Sequence, residues 1–261
     1  MIADLKGKTA IVTGGGQGLG FGISTKIAEQ GANLIITDLD ERNMKTIEDL
    51  AKKNNVKSLY LEMDVTNKDS VTEAIEKALK FSKVDILVNN AGVPGAPGST
   101  GTRWRDIDWD FTWKVNVKGL HEVTEAVLPH MLENKSGKII NISSVAARAA
   151  RYQTAYYATT KMAVISYTQA LAREFGSSNI NVNAIAPGRI YTQFHKDWVE
   201  NRKKIGEELD LFSKESLSSV MPLGRAQSPE DIGSLAAFLA SDDAKNITGQ
   251  TIQCDGGQVM V

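Results

Sequence analysis

Tyr157 and Lys161 stand four residues apart in the stretch Tyr156-Tyr157-Ala158-Thr159-Thr160-Lys161. On a helix that spacing puts both side chains on one face, about one turn apart. A phenol beside an ammonium can do proton chemistry. Free tyrosine has a pKa of about 10 and is a poor base near neutrality. A neighbouring cation favours the phenolate and lowers that value, each unit being worth about 1.4 kcal/mol. The expectation is a phenol that passes a proton to or from a substrate oxygen. A hydroxyl such as Ser144, arriving from a strand end, can hold the same oxygen. Tyr-x-x-x-Lys by itself arises by chance in many helices, so the surrounding elements must supply its context.

The first of those elements is a β-branched run, residues 9–13, read as a buried strand. Gly14-Gly15-Gly16-Gln17-Gly18-Leu19-Gly20 follows it, and a helical pattern runs from about Gly20 to Gln30. Strand, glycine turn and helix together make an anion cradle. Glycines let the backbone approach a pyrophosphate, and the helix start presents free N–H groups. A second strand, 33–37, ends at Asp38, where a carboxylate can accept from both hydroxyls of an adenosine ribose. A 2′-phosphate there would meet a like charge, roughly 4 kcal/mol of repulsion at ~4 Å and an effective dielectric of ~20. Gln17 and Leu39 offer no cation to offset it, and Arg42 lies a helical turn on, so NAD(H) is expected over NADP(H). Asp38 also suits the N-cap of a helix spanning 40–54.

A third strand, 57–63, leads to Asp64-Val65, where a carboxylate can meet an adenine amino group. Residues 69–81 repeat apolar side chains at helical spacing, and a fourth strand, 85–88, ends in Asn89-Asn90-Ala91-Gly92. Val93 to Thr102 reads as a loop above the strand ends. Trp104, Trp109 and Trp113 fit helix packing or an oligomer face. Asn116, a polar amide in an apolar helix, needs partners and can bend that helix around a water touching Lys161. Strands at 138–142, 179–186 and 250–254 complete the alternation, with Pro187-Gly188 closing the sixth. Residues 192–220 read as a charged, weakly amphipathic helical lid, and Ser228-Pro229 as the capped start of another helix. The pattern predicts an α/β chain, one domain over 1–261. Its core is a doubly wound (Rossmann-type) seven-stranded parallel sheet, helices on both faces, ligand at the C-terminal strand ends.

The net charge of -1 offers nothing to nucleic acid or an anionic membrane. One cysteine, Cys254, permits no internal disulfide or cysteine metal cluster and reads as a small buried residue. No metal-ligand set appears. With no leader pattern and no apolar run near ~18 residues, a cytoplasmic protein is expected.

Together these motifs resemble the short-chain dehydrogenase/reductase family over essentially the whole length: Thr13-Gly14-x-x-x-Gly18-x-Gly20, Asp64, Asn89-Asn90-Ala91-Gly92, Asn116, Ser144, Tyr157-x-x-x-Lys161, Pro187-Gly188 and Asp255-Gly256-Gly257. The resemblance implies Tyr157 as general acid/base and Lys161 as the group that lowers its pKa and binds the nicotinamide ribose. It makes Ser144 the residue orienting the substrate oxygen and Asn116 the anchor of a proton-relay water. It gives Thr192 to the nicotinamide carboxamide, with Pro187, Gly188, Asn90 and Ile190 as further cofactor contacts. Gln17, Leu19, Leu39, Val65, Ala91 and Gly92 fall within the same cofactor-lining stretches. Tyr156 is off register, with Thr160 rather than Lys four residues on. The implied activity is reversible NAD-dependent oxidation of a secondary alcohol to a ketone, in a homodimer or homotetramer. An NADPH-dependent carbonyl or 3-oxoacyl reductase is the alternative, and a dinucleotide-sensing relative without activity is a third reading. The pocket is expected along Val93–Ala96, Val145–Thr154, Gly188–Tyr191 and the lid, where Gln153, Thr154, His195 and Trp198 offer contacts. Arg148 and Arg151 lie there too: they either meet an anionic substrate group or stand solvated or at a subunit contact, the commoner fate of loop arginines.

Overall fold

The computed structural model describes residues 3–99, 105–192, 199, 200, 203 and 210–261. Seven parallel strands form one sheet: β1 (Thr9–Thr13), β2 (Asn33–Asp38), β3 (Ser58–Glu62), β4 (Ile86–Asn89), β5 (Gly137–Ile142), β6 (Ile180–Pro187) and β7 (Thr251–Cys254). Their order is β3-β2-β1-β4-β5-β6-β7. The winding reverses between β1 and β4, so their C-terminal ends open a crevice that no connection covers. The glycine turn after β1 and Asn90-Ala91-Gly92 after β4 both stand at that reversal.

Strand residues divide by parity. Ala10, Val12, Leu34 and Ile36 join a core with α1 (Gly18–Glu29), α2 (Met44–Lys53) and α8 (Pro229–Ala240). Ile11 and Ile35 join the opposite core with α3 (Lys68–Phe81), α5 (Leu120–Glu133) and α6 (Ala155–Phe175). Alternate side chains point to opposite faces, and both faces are covered, so every position of β1 is buried. Gly22 sets the close approach of α1 to α8, because a Cβ there would collide with Pro229 Cβ. Ser228 caps α8 as expected: its Oγ accepts from Asp231 N at 3.3 Å, and Asp231 Oδ2 accepts from Ser228 N at 2.8 Å.

Two helical expectations need correction. Helix α2 begins at Met44, not at residue 40, and its N-cap is Asn43 rather than Asp38. The reason is local: Asp40 accepts from Arg42 N at 3.0 Å and pairs with its guanidinium at 2.7 Å, an alternative to the helical turn. In 192–220, residues 199, 200 and 203 are helical, Phe212 is not, and α7 (Lys214–Ser218) is short. The rest of that stretch lies outside the described residues. Cys254 is half-buried rather than buried. No described helix is long and apolar enough to cross a membrane.

Candidate active site

The glycine turn is a backbone surface. Gly14 holds φ +60° and Gly18 φ +52°, left-handed conformations that favour glycine. Asn90 ties the turn to β4: its Nδ2 donates to Thr13 O at 2.9 Å and Gly14 O at 3.0 Å. Thr13 Oγ1 in turn accepts from the N–H groups of Asn90 and Ala91, each at 3.0 Å. Gly20 is required beneath, since a Cβ there would stand 2.6 Å from Asn90 Nδ2. Helix α1 has Gln17 as its N-cap, with no capping side-chain bond and no acidic residue in its first turn. Its free N–H groups and positive dipole end therefore face the crevice uncompensated, which fits a dinucleotide pyrophosphate.

Asp38 stands beside this turn. Its Oδ2 accepts from Gly16 N at 3.2 Å and its Oδ1 from Leu39 N at 2.9 Å. The carboxylate is thus fixed in orientation, while Leu39 is 65% exposed and Gln17 is exposed. Arg42 feels both Asp40 and Asp38, yet its guanidinium is taken by Asp40. Acids outnumber cations here, as a ribose diol prefers. Asp64 accepts from Thr66 N at 2.8 Å, which steadies the β3 exit beside buried Val65.

The proton-handling groups gather at the exits of β4 and β5. Tyr157 is half-buried in the first turn of α6. Lys161 is 5% exposed; its Nζ donates to Ile142 O at 2.8 Å and lies 5.8 Å from the Tyr157 ring centroid. Ser144 contacts the Tyr157 hydroxyl, and its Oγ accepts from Ala146 N at 3.1 Å. Ser143 is turned away, donating to Lys161 O at 2.8 Å. Burial pushes the Tyr157 phenol up to about 12, against the downward pull of Ser144. Burial also brings Lys161 down to about 8. The expected lowering of the phenol by Lys161 is not what the structure shows. Desolvation disfavours the charged form of each group and is the leading cause at both. At neutral pH, Tyr157 holds its proton.

Between α4 (Asp106–Trp113) and α5 the helix widens into one π-type turn, Lys114–Gly119, which contains Asn116. The distortion matches the expected bend, and protein groups hold the amide in place. Asn116 Oδ1 accepts from Val93 N at 2.8 Å, and Nδ2 donates to Val93 O at 2.9 Å and Thr160 Oγ1 at 3.1 Å. Gly92 lets the β4 exit close in, since a Cβ there would stand 3.1 Å from Asn116 Oδ1 and 3.3 Å from Lys161 Nζ. At the β6 exit, a Cβ on Gly188 would stand 2.8 Å from Gln227 Oε1. Ile190 is buried and bridges Gln227, and Thr192 is half-buried next along the chain. Trp104, His195 and Trp198 lie outside the described residues.

Tyr156 is core: it is 1% exposed, its hydroxyl lies 3.1 Å from Ser99 Oγ, and its ring meets Trp109 edge-on at 6.3 Å. Sequence reasoning missed Asp108, which is fully buried. It accepts from Arg105 N at 2.9 Å, Arg105 Nη2 at 2.9 Å and Ala96 N at 3.1 Å, pinning the loop after β4 to α4. Its place three residues after Arg105 was the available signal.

Residues 14–258 match the family model described as enoyl-(acyl carrier protein) reductase. The chain is 35% identical over 257 residues to a 3-oxoacyl-[acyl-carrier-protein] reductase, FabG, of Thermotoga maritima, covering 98% of this chain and 99% of that one. It is 35% identical over 255 residues to the (2S)-[(R)-hydroxy(phenyl)methyl]succinyl-CoA dehydrogenase subunit BbsD of Thauera aromatica, covering 97% of each. Among solved structures, the crystal structure of gox2181 superposes with a TM-score of 0.87 at 31% identity, covering 98% of this chain and 97% of that one. With this coverage on a seven-stranded parallel sheet of this order, the chain belongs to the short-chain dehydrogenase/reductase family of oxidoreductases.

Proposed function

We propose that this chain interconverts a ketone and a secondary alcohol, with 3-oxoacyl or 3-hydroxyacyl thioesters as the leading substrate class and NAD(H) as cofactor. The observation that carries the reaction type is the meeting of Ser144, Tyr157 and Lys161 beside an uncapped helix start at the sheet's reversal point. The substrate class leans on the relatives' names, which join acyl-carrier and coenzyme A thioesters. That reverses the ranking drawn from sequence, where a free alcohol stood first. Asp38 supports NAD(H); an NADPH-dependent 3-oxoacyl reductase is the second reading, favoured by the FabG likeness alone.

Gly14 to Gly20 would hold the pyrophosphate, Asp38 the ribose hydroxyls and Asp64 with Val65 the adenine. Lys161, Ile190 and Thr192 would hold the nicotinamide end. The nicotinamide, when bound, supplies or accepts the hydride. In the reducing direction Tyr157 gives its phenolic proton to the substrate oxygen, and Ser144 holds that oxygen in line. Lys161, kept cationic below about pH 8, stabilises the phenolate left behind. Asn116 keeps the β4 exit and α6 in register through Val93 and Thr160. In the oxidising direction each proton step reverses.

A homodimer or homotetramer is part of the proposal. Trp113 and Met162 are each 39% exposed, and a cavity of about 470 Å³ beside Trp113, Lys114 and Lys118 leaves that helical face open to a second copy. A cytoplasmic setting fits the single cysteine. The test is near-ultraviolet absorbance of the reduced nicotinamide, with NADH and NADPH in parallel, against 3-oxoacyl thioesters and simple ketones. NADH consumption with a 3-oxoacyl thioester supports the reading. NADPH-only turnover overturns the Asp38 argument, and turnover of simple ketones alone removes the thioester.

A further inference from the structure

We infer that Tyr156 is a positioning residue: its buried hydroxyl clamps the loop after β4 to the helix that bears Tyr157, so that a substrate meets a wall fixed relative to the proton donor. The inference rests on the oxidoreductase reading above and adds to it a residue that sets substrate binding.

The loop is built to hold one shape. Ala96-Pro97-Gly98-Ser99 closes as a turn, with Ser99 N donating to Ala96 O at 3.0 Å and Gly98 at φ +78°. Proline second and glycine third at positive φ is the order of a type II turn. From Ala91 to Pro97 no side chain carries a hydrogen-bonding group, so this stretch offers a substrate hydrocarbon and backbone. Gly92, where the loop begins, stands beside Lys161 Nζ.

Side chains from separate helical elements hold the loop. Asn116, in the π-type turn, takes both backbone groups of Val93. Asp108, in α4, accepts from Ala96 N at 3.1 Å. Tyr156, in α6, meets Ser99, the two hydroxyl oxygens lying 3.1 Å apart. Gly95 makes room for that pair: a Cβ there would stand 2.9 Å from Ser99 Oγ and 3.1 Å from Tyr156 Oη. Successive helical residues point about 100° apart. Tyr157 is therefore half-buried on one side of α6 while Tyr156 turns inward against Trp109. Packing alone would be served by a phenylalanine. A buried phenol needs a partner for its hydroxyl, and here the partner belongs to the loop.

Tyr156→Phe keeps the ring and removes the hydroxyl. Ser99→Ala cuts the same bond from the loop side, and Ser99→Thr retains it. The first arm is hydrogen–deuterium exchange read by mass spectrometry, without substrate. Exchange over residues 93–99 should quicken in Tyr156→Phe and Ser99→Ala and match wild type in Ser99→Thr. The second arm is steady-state reduction of acetoacetyl-coenzyme A by NADH. KM should rise about fivefold in either variant that loses the bond, the factor one neutral hydrogen bond is worth, with kcat within about twofold. The double variant should do no worse than the worse single one, because both remove one contact. A merely structural Tyr156 would lower Tm and the active fraction, hence kcat, and leave KM unmoved. That pattern, additive losses, or unchanged exchange over the loop overturns the clamp. The exchange arm needs no turnover. Quickened loop exchange in a protein that reduces no ketone with either nicotinamide would keep the clamp and sink the oxidoreductase reading instead.

Discussion

The two ends of the cleft are built in opposite ways. At the β1 exit the working surface is backbone, held by Thr13 and Asn90, and the glycines serve by lacking side chains. At the β5 exit the working surface is side chain, and two ionisable groups are desolvated to make it. The first end presents backbone dipoles that helix formation has already aligned. The second holds electrostatic cost, Lys161 at about 8 and Tyr157 at about 12, which the proposed proton transfer would use. Substitutions should therefore separate: binding and stability at the glycine end, chemistry against stability at the tyrosine end.

The largest effect belongs to Tyr157→Phe. Removing the phenolic proton donor should cut kcat by about 10²–10⁴-fold, while cofactor binding, read by nicotinamide fluorescence, stays within about twofold. Lost cofactor affinity in that variant would erase the contrast between the two ends. Next, Asp38→Asn keeps an acceptor for Gly16 N but drops the charge. The NAD-over-NADP ratio of kcat/KM should fall by about 10²–10³-fold, following the roughly 4 kcal/mol of like-charge repulsion removed.

The third prediction concerns pH. Burial takes Lys161 from its ordinary 10.5 to about 8. Below pH 8 the lysine is charged in both folded and unfolded states, and the folded state bears the burial penalty. As pH rises from about 8 to 10.5 the folded protein releases its proton first, the unfolded chain binds more protons, and stability rises by about 3 kcal/mol. Lys161→Met should flatten that slope in denaturant titrations, raise stability at pH 7, and abolish turnover. A slope unchanged in the variant would mean that Lys161 is not the desolvated group. Smallest is Gly22→Ala, far from the chemistry: the new Cβ meets Pro229, and a loss of about 1–3 kcal/mol in chemical unfolding is expected, with KM unaffected.

Much of the glycine end was legible in the sequence because its signal is local. A β-branched run, spaced glycines and an acid one strand later fix a turn by backbone geometry, which spacing encodes. The tyrosine end was legible only in part. Spacing put Tyr157 and Lys161 on one face, but the direction of the phenol's shift depends on burial by residues distant in sequence. Asn116 announced itself as a polar residue needing partners, yet Val93 and Thr160 are far along the chain from it. Asp38 as a helix cap failed because Arg42 offered Asp40 a competing turn.

The central claim is hydride exchange coupled to proton transfer by Tyr157. Its most direct test is to supply NADH deuterated at the transferring position of the nicotinamide, with acetoacetyl-coenzyme A as acceptor, and to locate the label by mass spectrometry. Deuterium on the carbinol carbon of the product with wild type, and labelled product formed about 10²–10⁴-fold more slowly with Tyr157→Phe, is the predicted result. Labelled product formed equally fast by both proteins would contradict the role of Tyr157, and unlabelled product would contradict hydride exchange itself.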